Sequence, residues 1–109
     1  MRDLVIIGAG PGGYIGAIRA SQLGMKVALV EKEALGGTCL NRGCIPTKAY
    51  YKNAEVLNTL QRAESFNVEI DGFRLNLAGA KERKDKIVGN LVLGINNLVK
   101  ANGIEIIDG

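Results

Sequence analysis

The chain has 109 residues, a formal charge of +3, 15 glycines, two cysteines and no histidine. That length suits one domain rather than two, and no apolar run approaches the ~20 residues needed to cross a bilayer. The densest charge run, "KERKDK" from Lys81 to Lys86, mixes its signs. It reads as a solvated helix face rather than a nucleic-acid surface.

In chain order, Leu4 to Ile7 is a short β-branched run that ends in glycine, the pattern of a buried strand. "LVIIG" is too short for a signal sequence and carries no cleavage site, so a cytoplasmic setting is expected. From Pro11 to about Gly24 the pattern is helical, with Ala17, Ile18, Ala20 and Leu23 available for packing. Pro11 suits the first turn and Gly24 the stop. Val27 to Val30 is a second strand, so residues 4–30 predict a β-α-β unit with parallel strands and a right-handed crossover.

A glycine-rich loop carrying the cysteines follows, and Pro46 opens a helix to about Glu64. Residues 66–76 read as loop. A long helix is expected from about Leu77 to Lys100, with Ile87, Leu91, Ile95 and Leu98 as its apolar stripe. Gly103 stops it, and Ile104 to Ile107 forms a third strand. The predicted class is α/β, with three parallel strands and helices covering both faces. The sequence stops directly after a strand, where such folds usually continue, so a piece of a larger protein is expected.

Two stretches carry chemistry. The first turn reads "GAGPGG", in which Gly8, Gly10 and Gly13 fit the dinucleotide spacing G-x-G-x-x-G. Gly8 permits the turn out of the strand, Gly10 lets backbone approach a pyrophosphate, and Gly13 lets helix and strand pack closely. The helix N-terminus presents free N–H groups to the phosphates. Glu31, at the end of the second strand, is placed to bond both hydroxyls of an adenosine ribose and to repel a 2′-phosphate. The motif alone does not separate FAD from NAD.

The second stretch is "GGTCLNRGCIPTK", residues 36–48. A structural zinc site usually takes four ligands, and two thiols with no imidazole fall short of that. Two inert buried thiols are a blander alternative. A bridge needs Cα atoms about 5.5–6 Å apart, whereas residues five apart in a regular helix are separated by about 8.7 Å. Cys39 and Cys44 can therefore pair only across an irregular turn, for which Gly43 supplies the freedom. Cys44 near a helix N-terminus, with Lys48 one turn on, favours a thiolate. These surroundings point to thiol–disulfide exchange, with the other readings still open.

"GAGPGGY", "VEK" and "GGTCLNRGCIPTK", in this order and spacing, resemble the N-terminal FAD-binding portion of the pyridine nucleotide-disulfide oxidoreductases. Leu40 and Ile45 lean towards the members that oxidise dihydrolipoamide, since the glutathione and mercuric reductase types usually carry valines there. The resemblance implies a partial Rossmann-type FAD-binding domain over residues 1–109. Gly8, Gly10, Pro11, Gly12 and Gly13 would surround the FAD phosphates, and Glu31 and Lys32 the adenosine end. Gly37 and Thr38 would lie along the middle of the cofactor, and Lys48 near the flavin. Cys39 would exchange with the dithiol substrate and Cys44 would face the flavin, with NAD⁺ as final acceptor in the full-length enzyme.

Such enzymes also carry an NAD-binding domain and a dimerisation domain, whose histidine acts across the homodimer interface on a lipoyl-bearing protein substrate. This chain has no histidine, so the 109 residues alone are expected to show no turnover and weakened FAD binding. The rival readings are a non-catalytic nucleotide-binding module with the cysteines as a staple, and half of an NAD-dependent dehydrogenase domain.

Overall fold

A computed structural model describes all residues 1–109. The elements are β1 (Leu4–Ile7), α1 (Pro11–Gln22), β2 (Val27–Glu31), α2 (Gly37–Arg42), α3 (Cys44–Gln61), a 3₁₀ turn (Ala63–Phe66), α4 (Leu77–Ala101) and β3 (Glu105–Asp108). The three strands form one parallel sheet in the order β1-β2-β3, with Leu4 opposite Val27 and Ala28 opposite Glu105. The expected α/β fold with three parallel strands and flanking helices is present.

The strands advance across the sheet in one direction. Right-handed crossovers then put every connecting helix on the same face. Leu4, Ile6, Val27, Leu29 and Ile106 face α1 and α4, and meet Ala17, Ala20, Ile95 and Val99 in one core. The opposite face carries Val5, Ile7 and Ile107, all exposed, with Ile7 86% accessible. The expectation that helices cover both faces is therefore corrected, because covering the second face requires the strand order to reverse and here it does not. Leu29→Ala should cost about 2–5 kcal/mol, whereas Ile7→Thr should change stability by less than about 0.5 kcal/mol. Urea unfolding of the two variants checks the contrast.

Both crossover helices end in the same device. After α1, Gly24 takes φ +89, its N–H donates to Ser21 O at 2.9 Å, and the Met25 N–H donates to Ala20 O at 3.1 Å. After α4, Gly103 takes φ +69, with Gly103 N–H on Lys100 O and Ile104 N–H on Val99 O. This six-to-one closure satisfies the last carbonyls and turns the chain into the next strand. Val99 and Ile104 are both buried, supplying the apolar contact that accompanies such a cap. It also explains why β3 starts at Glu105 rather than Ile104. Leu23 falls at the cap of α1 and is exposed, so it does not pack as expected.

α3 and α4 form an antiparallel hairpin. The Arg83 guanidinium donates to Ala49 O at 3.2 Å, the Lys84 ammonium lies 5.9 Å from the Tyr50 ring centre, and Leu57 and Ala80 line a common cleft. The hairpin stretches the molecule to 66 Å along its longest axis, with a radius of gyration of 19.8 Å. A compact chain of this length would have about 13 Å. On α4, Ala80 and Val99 are buried and Ile87 and Ile95 half-buried, while Leu91 and Leu98 are exposed. The predicted stripe is rotated on that half of the helix, because α4 serves two partners, α3 with its first half and the sheet with its last. Its N-terminus is capped by Asn76, whose Oδ1 accepts from Gly79 N–H at 3.0 Å. Lys81 bonds Asp85 at 2.6 Å, one turn on, and this bond holds the Asp85 carboxyl below its ordinary range. In the "KERKDK" run Lys81, Glu82, Asp85 and Lys86 are thus solvated as expected, whereas Arg83 and Lys84 turn towards α3.

Candidate active site

The site is built where β1 and β2 end. Gly8 leaves β1 at φ +98, a conformation that glycine adopts without penalty, and its N–H donates to Val30 O at 2.7 Å. A Cβ on Gly13 would lie 1.8 Å from Gly8 O, so helix and turn meet at bare backbone, as the spacing anticipates. Gly12 differs, since a Cβ there would meet nothing within 4 Å. α1 has Gly10 at its N-cap with no side-chain cap, then Pro11 with no N–H to offer. The N–H groups of Gly12 and Gly13 are left without intrahelical acceptors at the positive end of the helix. Two free donors beside an unfilled space fit a pyrophosphate.

The cysteine segment is fastened to this turn. Gly36, at φ +110, donates its N–H to Ala9 O at 2.8 Å. Gly37, at φ +79, packs so closely that a Cβ would sit 3.0 Å from both Gly10 Cα and Pro11 Cδ. The close approach therefore depends on Gly37, since a Cβ on Gly10 would meet Gly37 Cα only at an ordinary 3.7 Å. From Gly37 the chain is helical, which corrects the expectation of a loop around the cysteines. Cys39 lies in α2 and Cys44 is the first residue of α3, two positions ahead of Pro46. The helix starts earlier because Pro46 sits where the backbone N–H would have no partner, a place proline tolerates. α3 ends at Gln61, and the segment to Phe66 tightens into the 3₁₀ turn.

Cys39 and Cys44 are joined by a disulfide, with Cα atoms 4.7 Å apart. Both residues are exposed, which removes the reading as inert buried thiols. The short separation depends on the break between the helices. A Cβ on Gly43 would stand 3.1 Å from Cys39 Cα and 3.2 Å from Thr38 O. Gly43→Ala should force α2 and α3 apart at a cost of about 1–3 kcal/mol and make the disulfide easier to reduce. Equilibration with a dithiol reagent measures the second effect. Cys44 heads an 18-residue helix whose N-terminus has no side-chain cap, so the helix dipole favours its thiolate. Lys48, four residues on and exposed, lies along the same helix face.

Glu31, Lys32, Gly37 and Thr38 line one cleft of ≈ 290 Å³, together with Glu33, Ala34, Asn41 and Arg42. Glu31 is already engaged there, its carboxylate accepting Ala9 N–H at 2.9 Å and Glu33 N–H at 3.0 Å. It braces the glycine turn as well as facing the cleft, a second duty that its position at a strand end does not reveal. Lys32 and Thr38 are exposed at the cleft. Two participants escaped the sequence reading. Arg42 pairs with Glu33 across the cleft. Asn41 donates through Nδ2 to Leu35 O at 3.1 Å and to Gly37 O at 2.9 Å. A short polar side chain four residues after a glycine was the available signal for Asn41. The glycine turn and the cleft are thus joined by Glu31 and Gly36 on Ala9 and by Gly37 on Gly10 and Pro11, with Lys48 outside them. The cysteines follow on the helices that leave it.

Comparison with known proteins agrees with this geometry. The chain is 50% identical over 107 residues to a dihydrolipoyl dehydrogenase of Bacillus subtilis and 48% identical over 107 residues to that of Chlamydia trachomatis. It is 46% identical over 108 residues to that of Acholeplasma laidlawii. Each alignment covers 98% of this chain, but only 23%, 23% and 32% of the respective relatives, so the chain spans about a quarter to a third of their length. With a glycine turn, a fastened cysteine segment and a closed disulfide in place, and with residues 2–109 matching the family described as pyridine nucleotide-disulphide oxidoreductase, the chain belongs to that family.

Proposed function

We propose that the chain is the FAD-binding, disulfide-bearing part of a dihydrolipoyl dehydrogenase. The observation that carries this is the exposed Cys39–Cys44 disulfide at the head of α3, on a segment whose Gly37 packs against the phosphate turn. The similarity to dihydrolipoyl dehydrogenases over nearly the whole chain supports the same reading. The remaining three quarters of those relatives would supply NAD binding and dimerisation. A lipoyl-bearing protein as substrate, a homodimer partner and a cytoplasmic setting go with the assignment. No helix of the chain is long and apolar enough to cross a membrane.

The chemistry of the chain's own residues is as follows. A substrate thiolate attacks the Cys39 sulfur and forms a mixed disulfide, and the sulfur–sulfur bond to Cys44 breaks. Cys44 leaves as thiolate, which the α3 N-terminus stabilises; a leaving group of lower pKa departs faster. The second substrate thiol then displaces Cys39, closing the substrate's own disulfide. Two electrons now reside on the chain as two thiols. FAD, when bound, would supply an acceptor for that electron pair and a route for it to NAD⁺. The Gly12 and Gly13 N–H groups would hold its pyrophosphate, Pro11 and Gly8 would shape the turn around it, and Glu31 and Lys32 would face its adenosine. Gly37 and Thr38 would border its middle, and Lys48 would place positive charge near the flavin. The protons released by the substrate thiols need a base, and the chain contains no histidine. The 109 residues alone are therefore expected to give no lipoamide-dependent NADH.

The test is an absorption spectrum of the purified chain after FAD is added and unbound FAD removed. A retained yellow chromophore, with a band extending to long wavelength after two-electron reduction, is the expected result. A colourless chain that binds ADP-ribose compounds would favour the non-flavin readings.

A further inference from the structure

We propose that Asn41 is a positioning residue that locks the disulfide helix and the cofactor turn into one unit. The proposal rests on the functional reading above and assigns the coupling within that site. Asn41 lies inside the five-residue span closed by Cys39 and Cys44. Its Nδ2 donates to two carbonyls at once, Gly37 O at 2.9 Å and Leu35 O at 3.1 Å. The first bond reaches back one turn within α2, the helix that carries Cys39. The second reaches past the start of that helix, to a residue fixed in the core with only 4% of its surface exposed.

The two acceptors flank Gly36, whose N–H holds Ala9 O at 2.8 Å. They also set the course of Gly37, whose missing Cβ leaves room for Gly10 and Pro11. One amide thus fixes the connection that forms the side of the phosphate turn and the helix that holds one sulfur. α2 has six residues and no side-chain cap at its start. A helix that short is marginal without tertiary help, so a tether at each end of its first turn has a large share of the work of ordering it. With α2 ordered, the Cys39 thiol of the reduced pair stays near Cys44, and reclosure keeps a high effective concentration. With α2 loose, reclosure is less favoured, and the face that Gly37 presents to the cofactor moves.

The test uses Asn41→Asp, which keeps the shape but replaces the donor with an acceptor facing two carbonyls, and Asn41→Ser. A serine hydroxyl in a helix can bond the carbonyl four residues back, here Gly37 O, but has no second proton for Leu35 O. Two quantities are measured well below the melting temperature of each variant. One is FAD affinity. The other is the equilibrium constant for disulfide reduction by dithiothreitol without FAD, in which the reagent's two thiols are oxidised to its cyclic disulfide as Cys39 and Cys44 become thiols. Asn41→Asp should weaken FAD binding about tenfold and favour reduction about tenfold, a shift of about 30 mV. Asn41→Ser should fall between it and the unsubstituted chain in both, and carries the test where the aspartate variant does not fold. A side chain that only stabilised the fold would lower the melting temperature and leave the disulfide constant unmoved. Variants that match the unsubstituted chain in either quantity overturn the proposal. If the unsubstituted chain takes up no FAD, the functional reading fails, and the disulfide constant alone decides the role of Asn41.

Discussion

Gly13→Ala should unfold the N-terminal β-α-β end of the protein, whereas Gly12→Ala one position earlier should leave the fold intact and, under the proposed function, weaken FAD binding. A methyl group on Gly13 would lie 1.8 Å from Gly8 O and 2.9 Å from Gly8 C. Those are backbone atoms at the start of a tight turn, so no flexible side chain can yield. Relief requires α1 to move off β1, and with it Ala17 and Ala20, which are buried against the sheet. Overpacking of a side chain costs about 1–3 kcal/mol, and a clash of backbone against Cβ belongs at or above the top of that range. Much of the stability of a domain this small would go with it. Gly12 sits in the same helical turn with nothing within 4 Å of an added Cβ. Alanine is favoured over glycine in a helix by about 1 kcal/mol, so Gly12→Ala should melt no lower than the unsubstituted chain. Its methyl group would occupy the space assigned to the pyrophosphate, and FAD affinity should fall by at least about tenfold. Thermal melts and FAD titrations of the two variants read the contrast. Equal stability of both would remove the close-packing role of Gly13. Unimpaired FAD binding by Gly12→Ala would remove the phosphate assignment.

Serine at position 44 should have the largest effect on chemistry, and an effect unlike serine at position 39. Either substitution opens the disulfide and removes the two-electron store, so under the proposed function any reduction of bound FAD by dihydrolipoamide should drop on the order of 10³-fold or more. The two variants part company in the thiol that remains. In Cys39→Ser the surviving Cys44 heads the 18-residue α3, where the dipole and uncapped N–H groups favour the thiolate. In Cys44→Ser the surviving Cys39 lies inside α2, two residues past its first position, on a helix of only six residues. Alkylation by iodoacetamide near neutral pH should be faster for Cys44 than for Cys39, and the long-wavelength band should persist only when Cys44 is retained. Faster alkylation of Cys39, or a band surviving in Cys44→Ser, would exchange the two roles. Structural cost is secondary here, because both cysteines are exposed and a five-residue closure restrains little chain.

Much of the fold was legible because its signals are local. "LVIIG", "VALV" and "IEII" are short apolar runs containing Val or Ile, and each became a strand. Gly24 and Gly103 stop helices by adopting positive φ, a property of one residue that needs no neighbours to be read. The cysteine argument worked for the same reason: helix geometry excludes a bridge over five residues, and the structure meets that limit with a break at Gly43.

What the sequence alone determined is this set of backbone obligations: where strands end, where glycine is required, and that the sulfurs need an irregular turn to meet. Long-range contact decided the rest. No local pattern states that the sheet advances in one direction, and that order is what leaves Val5 and Ile7 uncovered. Nor does periodicity say that α4 divides its length between α3 and the sheet, which turns Leu91 and Leu98 outward. Glu31 looked like a ligand for a ribose, and only folding places the Ala9 N–H 2.9 Å from its carboxylate. Asn41 gains its meaning once Leu35 is anchored in the core. Periodicity records which face of an element is apolar, but the partner that covers that face is fixed only when distant segments meet.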